Sequence, residues 1–155
     1  LLARAEGLPG RGQYFDLPEY ERQWERFQTP TTPAVSLLYA LAEQARRIEA
    51  EGVDARVARH RAMAQRCWEW TETAGDRWGL EVLAPLGFRS PTNTAITLPE
   101  GTKGPRVAAA MEERGWTIAP GYGKLKDATI RIGHMGDHTV EELDALLAVL
   151  EEVLG

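Results

Sequence analysis

The sequence of 155 residues predicts an α+β fold in which helices cover one face of a mostly antiparallel sheet. Two observations carry this prediction. In the C-terminal half, β-type and helical runs follow the order strand, strand, helix, strand, strand, helix, which is typical of a two-layer sandwich. Residues 93–98 alternate between two sides, with Thr94 and Ile96 on one and Ala95 and Thr97 on the other. This alternation indicates a strand with one buried face.

Two helices are predicted ahead of the sheet. The first begins with Thr32 as N-cap and Pro33 in the first helical position, where the missing amide hydrogen costs nothing, and it ends at Gly52. The second runs from Asp54 to Gly75, and its length and polarity are typical of a helix that connects two bodies. The predicted apolar face of the first helix consists of Val35, Leu38, Leu41, Ala42, Ala45 and Ile48, and the packed side of the second carries Val57, Arg61, Ala64, Trp68 and Thr71.

The remaining elements belong to the predicted sandwich. Its strands span residues 80–83, 93–98, 116–119 and 129–133. A helix at about residues 105–114 separates the second strand from the third. The last helix begins with a capping box, because Thr139 precedes Glu142 by three residues. Its predicted buried face is formed by Leu143, Leu146, Leu147, Leu150 and Leu154.

Composition and charge exclude several classes of protein. A net charge of −5 and the lack of a basic stripe argue against a nucleic-acid partner. No apolar run is long enough to span a membrane and no leader is recognisable, so we expect a cytoplasmic protein. The single cysteine, Cys67, excludes an intramolecular disulfide and a cysteine-based metal cluster. The dispersed histidines His60, His134 and His138 predict no metal site.

Residues 8–33 combine prolines and glycines with bulky aromatic residues and show no clear period. Such a segment cannot bury its rings within its own structure. We therefore expect it to pack on a neighbouring domain or subunit. The aromatic residues concerned are Tyr14, Phe15, Tyr20, Trp24 and Phe27.

Arg131 is the lone cation in the β-type run 129–133. An arginine fixed on a strand can grip a carboxylate through two parallel hydrogen bonds, which makes Arg131 a candidate binding residue. An edge-strand arginine on a solvated face is the alternative. A second candidate is the run from Gln28 to Pro33, which places three threonine hydroxyls at the predicted start of a helix and suits an anion such as a phosphate. An ordinary N-cap with a stiff proline turn is the alternative there.

Residues 28–41 and 125–136 resemble the class V pyridoxal-phosphate aminotransferases, most closely the alanine–glyoxylate and serine–pyruvate group. The segments Ser90–Thr94 and Gly121–Gly123 extend the resemblance, which covers nearly the whole chain. It implies the aspartate-aminotransferase fold, a homodimer and pyridoxal 5'-phosphate as cofactor. Arg131 matches the family residue that binds the substrate α-carboxylate. Thr29 and Thr32 match the segment that reaches the cofactor phosphate of the partner subunit.

The resemblance also implies a division of the chain. Residues 1–52 would be the tail of the large cofactor-binding domain, residues 53–78 the connecting helix and residues 79–155 the small C-terminal domain. The family anchors its cofactor on a lysine of the large domain, and Lys103, Lys124 and Lys126 do not match that position. We therefore predict no catalytic residue in this chain and no activity for the chain alone.

The function implied is the C-terminal part of an enzyme that moves an amino group from alanine or serine to glyoxylate or pyruvate. A free-standing, non-catalytic small domain that acts as a binding module is the alternative. A cysteine desulfurase is disfavoured, because its nucleophile requires a flexible loop and Cys67 is predicted to lie within a helix.

Overall fold

A computed structural model describes residues 12–155. These residues fall into two compact units, one that ends at Arg47 and one that spans Ile48–Gly155. The predicted domain boundaries after residues 52 and 78 stay predictions. The first eleven residues of the predicted large-domain tail lie outside the described range.

The first unit contains a short 3-10 turn, Gln13–Phe15, the helix α1, Leu17–Glu25, and most of the helix α2, Val35–Glu51. The Asp16 side chain caps α1 by accepting a hydrogen bond from the Glu19 amide at 3.4 Å. No residue of α2 is buried. The apolar face predicted for this helix is therefore uncovered within the described part of the chain.

The predicted start of α2 at Thr32 is wrong. The helix begins at Val35, and the Ala34 carbonyl accepts from the Leu38 amide at 3.1 Å, as an N-cap carbonyl does. The reason lies in a tight turn after Pro33, whose carbonyl accepts a hydrogen bond from the Val35 amide at 2.9 Å. The helix can therefore start only beyond that turn.

The second unit packs three helices against one sheet. Its helices are α3, Val53–Trp78, α4, Gly104–Glu112, and α5, Val140–Leu154; its strands are β1, Glu81–Val82, β2, Asn93–Thr97, β3, Ala119–Pro120, and β4, Thr129–Gly133. The strand order is β1-β2-β4-β3, and every neighbouring pair is antiparallel. This arrangement confirms the predicted α+β class and the predicted order of elements.

The core of the second unit lies between the helices and one face of the sheet. Ile96, Ile130 and Ile132 are fully buried on that face, and Leu147 and Leu150 of α5 pack in the same cluster. Each such side chain contributes about 1.5–3 kcal/mol when it leaves water. The capping box of α5 is confirmed, since Thr139 and Glu142 exchange their hydrogen bonds.

The end predicted for α3 is wrong, and the side predicted for it is right only in part, at the buried residues Ala64 and Thr71. The helix continues through Gly75 to Trp78 and ends at Gly79, whose φ of 68° closes it in the left-handed conformation. Gly75 serves packing instead, because a Cβ there would lie 2.6 Å from the Leu80 carbonyl oxygen. Val57 and Arg61 are exposed. The buried side is formed by Met63, Ala64, Cys67, Trp70, Thr71 and Ala74.

The third strand also differs from its predicted range. The Trp116 amide donates to the Met111 carbonyl at 3.0 Å, so the chain is still closing α4 where a strand was expected. Pairing with β4 begins only at Ala119. Proline at position 120 then removes a donor from the ladder, which keeps β3 short.

Candidate functional site: the carboxylate-binding face of the sheet

Arg131 stands on the face of the sheet that is turned away from the helices. It pairs with Ala95 on β2 and with Ala119 on β3. Because directly paired residues share a face of the sheet, the Arg131 side chain lies between the methyl groups of these two alanines. Its strand neighbours Ile130 and Ile132 point into the core on the other side. The sheet therefore offers Arg131 a rigid base with small neighbours that leave room for a ligand.

The guanidinium is held at one nitrogen. Arg131 Nε donates to the Pro120 carbonyl oxygen at 3.0 Å. No carboxylate among residues 12–155 forms an ion pair with Arg131. The two terminal nitrogens are thus available for the paired hydrogen bonds that a carboxylate accepts. The edge position in the alternative is wrong, because β4 lies between β2 and β3. The binding role of Arg131 stays a prediction.

The turn after β3 fixes the carbonyl that holds Arg131. The Gly121 amide donates to the Thr129 carbonyl at 2.8 Å, and Thr129 Oγ1 donates to the Leu125 carbonyl at 3.0 Å. Gly121 is buried. A Cβ at this position would lie 2.1 Å from Thr129 Oγ1, so only glycine allows so close an approach.

The residues that follow β4 are anchored by a buried histidine. His134 is 1% exposed, and its Nε2 lies 2.8 Å from Thr94 Oγ1. Trp68 Nε1 donates to the same Thr94 oxygen at 3.0 Å. Burial lowers the pKa of His134 below its usual value, so the ring is neutral at pH 7. Sequence reasoning missed this role, because Thr94 lies forty positions away and no local pattern links the two side chains.

The predicted phosphate-binding threonines belong to the first unit. Thr29 Oγ1 donates to the Thr31 carbonyl at 2.8 Å. Thr29 and Thr32 are both exposed, and they precede the first residue of α2. Their contact with a cofactor stays a prediction. An exposed hydroxyl in this segment can donate a hydrogen bond to a phosphate oxygen. The helix start that motivated the prediction, however, lies further along the chain.

The lysines and the cysteine differ in exposure. Lys103, Lys124 and Lys126 are exposed, and Lys103 lies 3.7 Å from the carboxylate of Asp127. Cys67 lies within α3, where burial raises the pKa of its thiol to about 11. A thiol with that pKa is a poor nucleophile at pH 7. Within residues 12–155, no three His, Cys, Asp or Glu side chains group as a metal site requires, and no helix has the length and apolarity to cross a membrane.

Known proteins resemble this chain over nearly its whole length. An uncharacterized aminotransferase of Methanocaldococcus jannaschii is 34% identical over 145 residues, which are 92% of this chain and 37% of the relative. The (S)-ureidoglycine–glyoxylate transaminase of Bacillus subtilis is 34% identical over 150 residues, which are 94% of this chain and 35% of the relative. The chain thus spans little more than a third of these relatives. No protein-family model matches it.

Solved structures agree with the sequence comparison. The alanine–glyoxylate aminotransferase from Nostoc sp. has a TM-score of 0.82 and 28% identity, and the match covers 98% of this chain and 40% of that chain. Its fold confirms the predicted fold class. In sequence and in fold, the chain therefore resembles a portion of the glyoxylate aminotransferases, in agreement with the predicted class V resemblance.

Proposed function

We propose that the full-length protein is a pyridoxal-phosphate-dependent aminotransferase that moves an amino group from alanine or serine to glyoxylate or pyruvate. The observation that carries the proposal is the Arg131 guanidinium, which is held at Nε and open at its terminal nitrogens on a face lined by alanines. All four substrates are 2-amino or 2-oxo acids, so each presents a carboxylate to this group. The similarity to glyoxylate aminotransferases supports the same reaction.

Arg131 would act by positioning. An arginine side chain stays protonated in proteins and offers only donors, so it neither accepts nor transfers a proton in the reaction. Its Nε bond to Pro120 and the two flanking alanines restrict the directions from which a carboxylate can approach. A substrate whose carboxylate is held in this way has its α-carbon already oriented for reaction. Such orientation lowers the activation barrier.

Pyridoxal phosphate, when bound, would supply an electron sink for negative charge at the α-carbon. From this chain, Thr32 would donate its hydroxyl hydrogen to the phosphate, and Thr29 would do so by exchanging its bond to the Thr31 carbonyl for one to the phosphate. Their exposure fits a phosphate that lies outside the first unit. The expected compartment of the protein remains the cytoplasm.

The proposed partner is a second copy of the protein or its large domain, and the first unit carries the surface for it. Trp24 is 78% exposed and Phe27 is 97% exposed. Phe27 is also the one non-glycine residue within 12–155 with a positive φ, 54°, at the position after α1 where glycine is preferred. A bulky residue in this conformation costs about 1–2 kcal/mol. A strained and uncovered ring supports a role in contact with a partner.

We therefore expect Phe27→Gly to weaken association of the full-length protein by about tenfold or more, as the loss of an interface anchor does. The same change should not destabilise the fold, because it relieves the strained φ at a ring without internal contacts. Sedimentation over a concentration series would measure the dimer constant. Phe88→Ser, at a ring 83% exposed in the second unit, is the control. A monodisperse monomer with its aromatic rings packed inside would defeat the proposal and favour the free-standing binding module.

The activity itself can be tested by following product formation from alanine or serine with glyoxylate or pyruvate in the presence of pyridoxal phosphate. We expect two half-reactions that share one carboxylate-binding site. Ping-pong kinetics with each substrate pair would support the proposal. No amino transfer with any of these pairs would overturn it.

The chain of residues 1–155 without further sequence is expected to bind pyridoxal phosphate weakly and to form no covalent adduct. Its three lysines lie in exposed positions, and none matches the anchoring lysine of the family. Borohydride treatment followed by peptide mass analysis would check this. A stable adduct at Lys103, Lys124 or Lys126 together with a visible absorption band would refute the prediction.

A further inference from the structure

The turn that follows the Arg131 strand is clasped by the N-terminal part of α3. Residues 134–138, here called the post-strand segment, receive three side chains from that helix. Arg59 Nη2 donates to the Gly136 carbonyl at 3.1 Å, and Arg59 Nη1 donates to the His138 carbonyl. His60 Nε2 lies 3.1 Å from the same Gly136 oxygen, and Arg56 Nη2 donates to Asp137 Oδ1 at 2.8 Å. The segment is therefore bound at three consecutive residues.

Arg59 is itself held in place by Glu51. Its Nε donates to Glu51 Oε1 at 2.7 Å, and its Nη2 donates to Glu51 Oε2 at 3.0 Å. The side chain is only 20% exposed. Glu51 is the last residue of α2 and is also bound by Arg56 at 2.8 Å. A carboxylate that accepts two hydrogen bonds from one edge of the guanidinium leaves the arginine little freedom, so the carbonyls that it binds are fixed as well.

The path from this clasp to Arg131 is short and rigid. Between them lie Ile132, which is fully buried, and His134, whose amide donates to the Thr92 carbonyl at 3.0 Å. Gly133 pairs with Asn93 of β2, and Met135, which is 44% exposed, is the one residue of the path that the core does not bury and β2 does not pair. A displacement of Gly136 would therefore be passed to the end of β4 rather than absorbed by a loose loop.

We infer that Arg59 is a positioning residue for substrate binding, which acts through the post-strand segment on Arg131. The inference rests on the proposed function. Arg59 would not touch the substrate. It would hold β4 so that the terminal nitrogens of Arg131 meet the carboxylate of both the amino acid and the 2-oxo acid at the correct angle, and small misplacements of such a group are costly.

A double-mutant cycle in the full-length protein tests this inference. Arg59→Gln, Arg131→Lys and the double variant are compared in steady-state kinetics with both substrates. We expect Arg59→Gln to raise KM for the amino acid and for the 2-oxo acid by a similar factor, about tenfold, with kcat changed much less. We expect the double variant to bind substrate no worse than Arg131→Lys alone, because the effect of Arg59 passes through Arg131.

The control is Arg46→Gln. Arg46 forms the same kind of paired contact, with Glu43 on an exposed helix surface at 2.8 and 2.9 Å. It should leave KM unchanged. If Arg59→Gln does not fold, Glu51→Gln removes the support of Arg59 without altering the arginine and should raise KM in the same pattern.

If the enzyme is active and the effects of Arg59→Gln and Arg131→Lys on KM simply add, the inference about Arg59 is overturned while the proposed function stands. Additive effects would mean that Arg59 acts independently of Arg131. An unchanged KM in the folded variants would do the same. A wild-type protein without aminotransferase activity would instead overturn the proposed function, and the inference would fall with it.

Discussion

Replacing Arg131 with lysine should lower kcat/KM of the full-length protein by about tenfold to a hundredfold for both substrates. Lysine keeps the charge but has no planar fork, so one of two charge-assisted hydrogen bonds to the carboxylate is lost. A hydrogen bond to a charged group contributes about 1.5–3 kcal/mol. Arg131 Nε also donates to the Pro120 carbonyl, and a lysine at this position would not be held in the same way.

Arg114→Lys is the matched control for this change. Arg114 is exposed and makes a single bond to a backbone carbonyl, that of Ala110, at 2.9 Å. Both variants should unfold at nearly the same denaturant concentration as the wild type. If the specificity constants of Arg131→Lys equal those of the control, Arg131 does not bind the substrate carboxylate.

Replacing Gly121 with alanine is expected to reduce the free energy of unfolding by about 3 kcal/mol, as overpacking of a closed site does. The added Cβ would lie 2.1 Å from Thr129 Oγ1 and 2.2 Å from the Leu125 carbonyl oxygen. Neither group can yield easily, because the two are hydrogen-bonded to each other at 3.0 Å. The turn must therefore open, which would also move the Pro120 carbonyl away from Arg131 and weaken substrate binding.

Gly133→Ala on β4 is the control for the glycine substitution. A Cβ there would meet only the Met135 methyl carbon at 3.8 Å, which is an ordinary contact. Chemical denaturation should give this variant a free energy of unfolding within about 0.5–1 kcal/mol of the wild type. The remaining difference is one of entropy, because alanine loses less backbone freedom on folding than glycine does. Equal stability of Gly121→Ala and Gly133→Ala would contradict the steric argument.

Some features of the second unit were predictable because they depend on neighbouring residues. The alternation along β2 places Thr94 and Ile96 on the buried face, and the pattern is visible within five residues. The capping box needs only Thr139 and Glu142. The start of α2 was misread. Thr32 is a good N-cap residue by type, but a turn closed by the Val35 amide and the Pro33 carbonyl separates it from the helix, which begins at Val35.

The sequence by itself determined the order of the helices and strands, the buried face of β2 and the start of α5, and it selected Arg131 as the candidate binding residue. These conclusions rest on residue types and on patterns that repeat within a few neighbouring residues. The rotation of α3 about its axis could not be read in this way, because its polar and apolar residues are mixed and packing against the sheet decides which side is covered.

Only the tertiary structure decided what surrounds Arg131. Pro120 is eleven positions from it, Thr94 is forty positions from His134, and Gly136 is seventy-seven positions from Arg59. Contacts over such separations depend on strand register and on the angle at which α3 crosses the sheet, and a shift of one residue in register would turn Arg131 toward the core. The surroundings of this candidate site are therefore a property of the assembled sheet rather than of any segment of the chain.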